Sequence, residues 1–119
     1  MKMLLHISKM KLKKHDIVLV SFPFSNLKTS KIRPALVVKP LEGDNLILCQ
    51  IKTKKRGISK YEVILNKKSC DGNIKFDSNI YLDMIFSLHE SLIVKKIGNI
   101  KDEKVAKEIG EKINAMFNS

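Results

Sequence analysis

The sequence has no apolar stretch near the roughly 20 residues that a membrane-spanning helix needs. Residues 1–13 are basic and contain a short apolar patch, but they lack the apolar core and small-residue cleavage site of a secretory signal. We therefore expect residues 1–13 to be a flexible N-terminal extension, with Met10 as an alternative start. Residues 14–119 have the length of one domain, which we expect to be cytoplasmic.

Cysteine and histidine are scarce. Cys49 and Cys70 are the only cysteines, and no His or Cys pair has the spacing of zinc ligands, so a structural zinc site is not expected. Cys49 lies in the apolar run 46–49, which predicts a small buried hydrophobic residue rather than a nucleophile. Two cysteines without an obvious pairing fit a reducing cytosol.

Acidic residues are outnumbered, with 12 Asp and Glu against 23 Lys and Arg, for a formal net charge of +11. This excess favours a polyanionic partner, which includes RNA, DNA and acidic proteins. The alternative is a lysine-rich surface that only solubilises the protein, because Ile, Asn and Lys are abundant together. The charge alone does not decide between these two interpretations.

Short apolar segments separated by turn residues predict a mainly β fold. Six strands are expected, at residues 16–22, 34–39, 46–53, 61–65, 80–86 and 91–96. Residues 23–32 and 67–77 are expected to be loops. From Asp102 the period becomes helical, with one apolar stripe formed by Val105, Ile109 and Ile113. This order predicts a small, strongly bent antiparallel barrel closed by a C-terminal helix.

Five blocks of the sequence carry a family resemblance. They are residues 16–24 (DIVLVSFPF), 31–38 (KIRPALVV), 48–53 (LCQIKT), 87–98 (SLHESLIVKKIG) and the helix that begins at Asp102. In order and spacing they resemble the successive blocks of PemK/MazF-type toxins of bacterial and archaeal toxin–antitoxin systems. The resemblance covers about residues 14–117.

The resemblance implies an SH3-like barrel with a C-terminal helix that acts as a homodimer. It implies a sequence-selective, ribosome-independent endoribonuclease that cleaves single-stranded mRNA without a metal or other cofactor. The products would carry a 2′,3′-cyclic phosphate and a 5′-hydroxyl. It also implies an acidic antitoxin whose disordered tail occupies the RNA groove and neutralises the toxin.

Three residues are candidates for catalysis. Arg33 is one of two arginines beside 21 lysines, its planar fork binds two phosphate oxygens at once, and it coincides with the family's catalytic arginine. The family's hydroxyl position on the third strand is held by Lys52, with Thr53 next to it. Adjacent strand residues face opposite ways, so Thr53 replaces that hydroxyl only if the strand end is bulged or twisted. Asp16 and Asp83 are the candidate bases, and neither is assigned.

Further residues are candidates for binding RNA through phosphates, bases or stacking. They are Phe24, Ser25, Asn26, Thr29, Ser30, Lys31, Gln50, Lys54, Lys55 and Arg56. Phe24 is equally suited to plug the core under its loop. Lys52 in place of a hydroxyl keeps a second hypothesis open, which is a catalytically weakened barrel that binds RNA, DNA or a protein without cutting. A basic ribosome- or chromatin-associated protein is a third, suggested by charge alone.

Overall fold

The computed structural model describes residues 11–23 and 30–119. This part of the chain forms seven strands, one α-helix and three single-turn 3₁₀ helices. The strands are β1 (Asp16–Pro23), β2 (Ser30–Pro40), β3 (Asn45–Lys52), β4 (Glu62–Leu65), β5 (Cys70–Gly72), β6 (Ser78–His89) and β7 (Ile93–Ile100), followed by helix α1 (Glu103–Phe117). All strand pairs are antiparallel and form one sheet in the order β4-β6-β3-β2-β1-β7-β5. No helix among the described residues is long and apolar enough to cross a membrane.

The sheet is buried on both faces because its central strands are apolar at consecutive positions. On β1, Ile17 belongs to the larger hydrophobic cluster, whereas Val18 and Val20 belong to a smaller one on the opposite face. Helix α1 covers the larger cluster, where Ile109 is buried and Val105 packs beside it. The predicted apolar stripe of the helix is therefore confirmed, and the site described below lies on the face with the smaller cluster.

Irregular strand pairing accompanies the curl of the sheet. The pairing of β3 with β6 shifts between Cys49 and Gln50, and the pairing of β1 with β7 shifts between Leu19 and Val20. The shifts leave three extra residues on β6 (82–84) and one on β7 (Val94), and such insertions bend a strand and increase its local twist. The result is a mostly β, half-barrel sheet with one C-terminal helix, as the sequence predicted.

Several predicted boundaries are wrong. Strand β2 begins at Ser30, inside the predicted loop 23–32, because Ser30 and Lys31 continue the ladder with the end of β1. The predicted loop 67–77 contains strand β5, which pairs with β7. Strand β6 is longer at both ends than the predicted 80–86. Strand β7 starts at Ile93 and runs through Gly98 to Ile100, where an end at residue 96 was predicted.

The prediction for Cys49 is confirmed. Its side chain is fully buried in the larger cluster, and its thiol donates to the backbone oxygen of Leu82 at 3.7 Å. Burial raises the pKa of the Cys49 thiol to about 12, with a smaller contribution from the charge of Asp83. A thiol in this state is a packing group and not a nucleophile.

Candidate active site

Three of the predicted site residues lie together at one end of the β2–β3 ladder. Ala35 pairs with Gln50, and continuing this register by two residues sets Arg33 opposite Lys52. Paired residues of antiparallel strands point to the same face, as do residues two apart. Arg33, Gln50 and Lys52 accordingly line one cavity of about 240 Å³, together with Phe22, Pro34, Ile51 and Met84.

Apolar residues make up the rest of the lining of this cavity. One of them, Phe22, contacts Phe86 with ring centroids 5.1 Å apart and planes tilted by 55°, and both rings pack against the smaller hydrophobic cluster. No acidic side chain lines the cavity, and within the described part of the chain neither Arg33 nor Lys52 forms an ion pair. Arg33 and Lys52 are both exposed, so their charges are accessible to a bound anion.

Thr53 is not part of this cavity. It lies just beyond the end of β3 and lines a separate, mainly apolar groove of about 430 Å³ on the other side of the strand. The backbone oxygen of Thr53 accepts a hydrogen bond from Asn79 Nδ2 at 3.2 Å, which holds the segment in this orientation. The pairing shift in β3 precedes Gln50 and does not bring Thr53 beside Arg33. Of the three proposed catalytic residues, the structure brings together Arg33 and Lys52.

The basic loop after β3 contains two different kinds of cation. Lys54 and Lys55 are exposed and form no ion pair within the described residues. Arg56 instead donates from Nη1 and Nη2 to the two carboxylate oxygens of Asp83, at 3.1 and 2.7 Å. Its guanidinium carbon lies 3.8 Å from the centroid of the Tyr81 ring. The hydrogen bond from Arg56 lowers the pKa of Asp83, and the same bond raises the pKa of Arg56.

The remaining predicted RNA-binding residues lie around the β1–β2 connection. Lys31 is exposed on β2 and pairs with Phe22, so it shares the face of Arg33. Ser30 begins β2, and nothing is described of its side chain. Phe24, Ser25, Asn26 and Thr29 lie outside the described residues.

Neither candidate base lines the Arg33 cavity. Asp16 is 1% exposed at the start of β1, where its carboxylate accepts from the backbone N–H of Lys13 at 2.7 Å and pairs with Lys96 at 3.2 Å. It therefore stabilises the turn before β1. Asp83 has both carboxylate oxygens engaged by Arg56. Across the described residues, no group of three His, Cys, Asp or Glu side chains is arranged to hold a metal ion.

Sequence reasoning missed Phe22, Met84 and Tyr81 at or beside the cavity. Tyr81 approaches Lys52, whose ammonium nitrogen lies 5.8 Å from the ring centroid. The signal that was available is the spacing Asn79-x-Tyr81-x-Asp83, in which polar side chains alternate with the apolar Ile80 and Leu82.

The fold matches solved structures of toxins. The Mycobacterium tuberculosis toxin MazF-mt6 superposes with a TM-score of 0.68 at 18% identity, over 87% of this chain and 96% of that one. MazF in a MazE–MazF structure from Deinococcus radiodurans gives 0.72 at 18% identity, over 92% and 97%. A mycobacterial endoribonuclease in complex with its cognate antitoxin gives 0.71 at 11% identity, over 92% and 98%. At these identities the likeness establishes the fold.

Membership of a family rests on the sequence itself. No curated protein matches the chain. The family model that describes the PemK-like, MazF-like toxins of type II toxin–antitoxin systems matches residues 13–117, which is nearly the whole chain and includes every strand, the helix and the Arg33 cavity. The chain therefore belongs to the PemK-like, MazF-like toxin family.

Proposed function

We propose that this protein is an endoribonuclease toxin that cleaves single-stranded mRNA at selected sequences without a metal. The observation that carries the proposal is the cavity that both Arg33 and Lys52 line, in which no described residue supplies a carboxylate. Two cations in one cavity suit the binding and charge stabilisation of one phosphodiester. Gln50, in the same cavity, adds an amide that donates and accepts hydrogen bonds.

The proposed reaction is attack of a ribose 2′-oxygen on the adjacent phosphorus. A bond forms from the 2′-oxygen to phosphorus, the bond to the 5′-oxygen breaks, and the products are a 2′,3′-cyclic phosphate and a 5′-hydroxyl. The Arg33 fork stabilises the extra negative charge of the phosphorane, and the Lys52 ammonium donates a proton to the departing 5′-oxygen. The 2′-hydroxyl proton passes to water or to a phosphate oxygen, since no described side chain of the cavity is a suitable base.

We further propose that the protein works in the cytoplasm as a homodimer that an acidic antitoxin inhibits. Family membership supports this proposal, and the mycobacterial endoribonuclease whose structure contains its cognate antitoxin supports the antitoxin as a partner. The exposed cations of the cavity and of Lys54 and Lys55 offer an acidic tail the same charges that they offer RNA. Both cysteines are free and buried, in keeping with a reducing compartment.

The test is incubation of the purified protein with a long single-stranded RNA in EDTA, followed by mapping of the new ends. Arg33→Ala should lower the cleavage rate by a factor on the order of 10²–10³, the usual cost of one preorganised charge donor. Lys52→Ala should also be severely impaired. Thr53→Val serves as the matched control, because Thr53 lines the other groove, and it should cleave like the parent protein.

If Arg33→Ala cleaves RNA as fast as the parent protein, the active site lies elsewhere. A non-cleaving binding module is the second candidate, and the lysine at position 52 is the observation that favours it. In that case the parent would bind RNA without producing new ends, and Lys52→Thr, which restores the hydroxyl that the family resemblance implies, would gain cleavage.

A further inference from the structure

Three side chains of β6 hold the loop that leaves the active-site strand. Asn79 and Tyr81 pair with Lys52 and Gln50 of β3 and share their face, and Asp83 follows in the part of β6 where the pairing shifts. Asn79 Nδ2 donates to the backbone oxygen of Thr53 at 3.2 Å, and the Tyr81 hydroxyl donates to the backbone oxygen of Lys54 at 2.5 Å. Asp83 accepts both hydrogen bonds of the Arg56 guanidinium. We call Asn79, Tyr81 and Asp83 the β6 clamp.

Glu62, on the neighbouring strand β4, fixes the far end of the same loop. One of its carboxylate oxygens accepts from the backbone N–H of Arg56 at 3.0 Å, and the other accepts from the backbone N–H of Ile58 at 2.8 Å. Only 6% of Glu62 is exposed. The backbone bond from Arg56 is the largest of the effects that lower the pKa of Glu62, so the carboxylate stays charged near neutral pH. The loop is therefore held by side chains from two strands.

Tyr81 connects this clamp to the cavity. Tyr81 is only 3% exposed. The guanidinium carbon of Arg56 lies 3.8 Å from the centroid of its ring, and the ammonium nitrogen of Lys52 lies 5.8 Å from it. Both cations are within range of attraction to an aromatic face. They would repel each other, but Asp83 neutralises Arg56 and leaves Lys52 as the uncompensated cation beside the ring.

We propose that the β6 clamp positions the active site, with Tyr81 as the positioning residue that sets the place of the Lys52 ammonium and of the following backbone. The proposal rests on the proposed function, since it assigns Lys52 a role in RNA cleavage. It also gives Arg56 an internal role, because its guanidinium is occupied by Asp83 and Tyr81 and is withdrawn from the phosphates that the sequence assigned to it.

A positioning residue is expected to affect kcat more than KM, because misplacement of a reacting group costs rate rather than binding. Tyr81→Leu removes both the ring and the hydroxyl, and kcat should fall by roughly 10- to 100-fold with KM within about twofold of the parent. Tyr81→Phe keeps the ring beside Lys52 and loses only the bond to the Lys54 oxygen, so it should recover most of kcat. Recovery by the conservative variant separates positioning from general loss of structure.

Tyr61 provides the matched control. It is a half-buried tyrosine that also has a lysine over its ring, with the Lys60 nitrogen 5.3 Å from the ring centroid, but it lies outside the Arg33 cavity. Tyr61→Leu should leave kcat and KM unchanged even where it lowers thermal stability. If Tyr81→Leu retains the parent kcat, or if Tyr61→Leu loses as much kcat at equal loss of stability, the β6 clamp has no positioning role.

A second measurement separates failure of this inference from failure of the proposed function. NMR of the protein with isotope-labelled lysine reports the ring-current shift that Tyr81 imposes on Lys52, and it needs no cleavage activity. We expect the shift in the parent and in Tyr81→Phe, and its loss in Tyr81→Leu. A parent that does not cleave RNA but shows this pattern would overturn the function and retain the placement of Lys52. A Lys52 resonance that is the same in Tyr81→Leu and the parent would overturn the clamp whatever the activity.

Discussion

Arg33 and Arg56 carry the same guanidinium group in opposite settings. Arg33 is exposed at the entrance of the cavity and has no carboxylate partner within the described residues, so its two parallel donors are available to a phosphate. The corresponding donors of Arg56 form hydrogen bonds with Asp83, and its guanidinium group packs against the Tyr81 ring. Because the side chains are identical, only the surroundings distinguish Arg33, which we propose binds the substrate, from Arg56, whose guanidinium is paired within the protein.

His15 is expected to make the free energy of unfolding depend on pH. It adopts a left-handed backbone conformation with φ at +75°, and its Nε2 is buried without a hydrogen-bond partner among the described residues. Desolvation lowers the pKa of His15, the charge of Lys14 lowers it further, and Asp16 acts in the opposite direction. The unfolded chain thus binds the proton more readily than the folded one, so the free energy of unfolding should decrease as pH falls below about 6.5.

The variant that tests this is His15→Asn. Asparagine does not titrate and tolerates the left-handed conformation better than most residues. Urea unfolding at pH 7.5, 6.5 and 5.5 should show a smaller loss of stability towards low pH in His15→Asn than in the parent. His89→Asn, at an exposed histidine, controls for the removal of one histidine. An unchanged pH dependence in His15→Asn would show that the imidazole is solvated in the folded state.

At the scale of the elements, the sequence predicted the strands whose apolar pattern is local and missed those that depend on a distant partner. Strands β1 and β3 and helix α1 follow from their own apolar pattern. Strand β5 is three residues long and exists because it pairs with β7, almost 30 residues later. The extension of β7 through Gly98 depends on the same pairing. Sequence periodicity within a window cannot report such contacts.

Gly98 tests the close approach of β5 and β7. A Cβ at this position would overlap the backbone oxygen of Asp71 and come within 3.1 Å of Ile74 Cδ1, so Gly98→Ala should destabilise the protein by about 1–3 kcal/mol. Gly110 lies on the exposed face of α1 with nothing within 4 Å of an added Cβ. Gly110→Ala should therefore stabilise by roughly 0.5–1 kcal/mol. Urea denaturation measures both, and a Gly98→Ala variant as stable as the parent would disprove the tight pairing.

At the scale of the whole molecule, some basic side chains are paired with acidic groups of the protein and others are accessible to a ligand. Several acidic groups form ion pairs within the protein: Asp16 with Lys96, Asp83 with Arg56 and Glu108 with Lys112. Glu62 caps backbone N–H groups. The cavity and the loop after β3 keep unpaired cations within the described residues. The net charge of +11 favoured a polyanionic partner without deciding for one, and which lysines are available to it depends on these tertiary pairs.

The last prediction concerns the salt dependence of RNA binding. Each phosphate contact on a single strand contributes a slope of roughly −0.7 to the logarithm of affinity against the logarithm of salt, because bound counterions are released. If Lys54 and Lys55 each contact one phosphate, Lys54→Gln with Lys55→Gln should flatten the slope by about 1.4 and weaken all RNA sequences alike. Cleavage preference should remain, since phosphate contacts position a strand without reading its bases.

Arg56 is left out of this pair of substitutions because its removal would free Asp83 and disturb the β6 clamp. The matched control is Lys104→Gln with Lys107→Gln, which removes the same charge from the exposed face of α1 and should leave the slope unchanged. An equal effect of the two pairs would mean that RNA senses the net charge of the molecule and not this loop. If the loop pair flattens the salt slope more than the control pair does, the phosphate backbone of the RNA runs beside the end of β3. An RNA strand bound at Arg33 and Lys52 is expected to pass there.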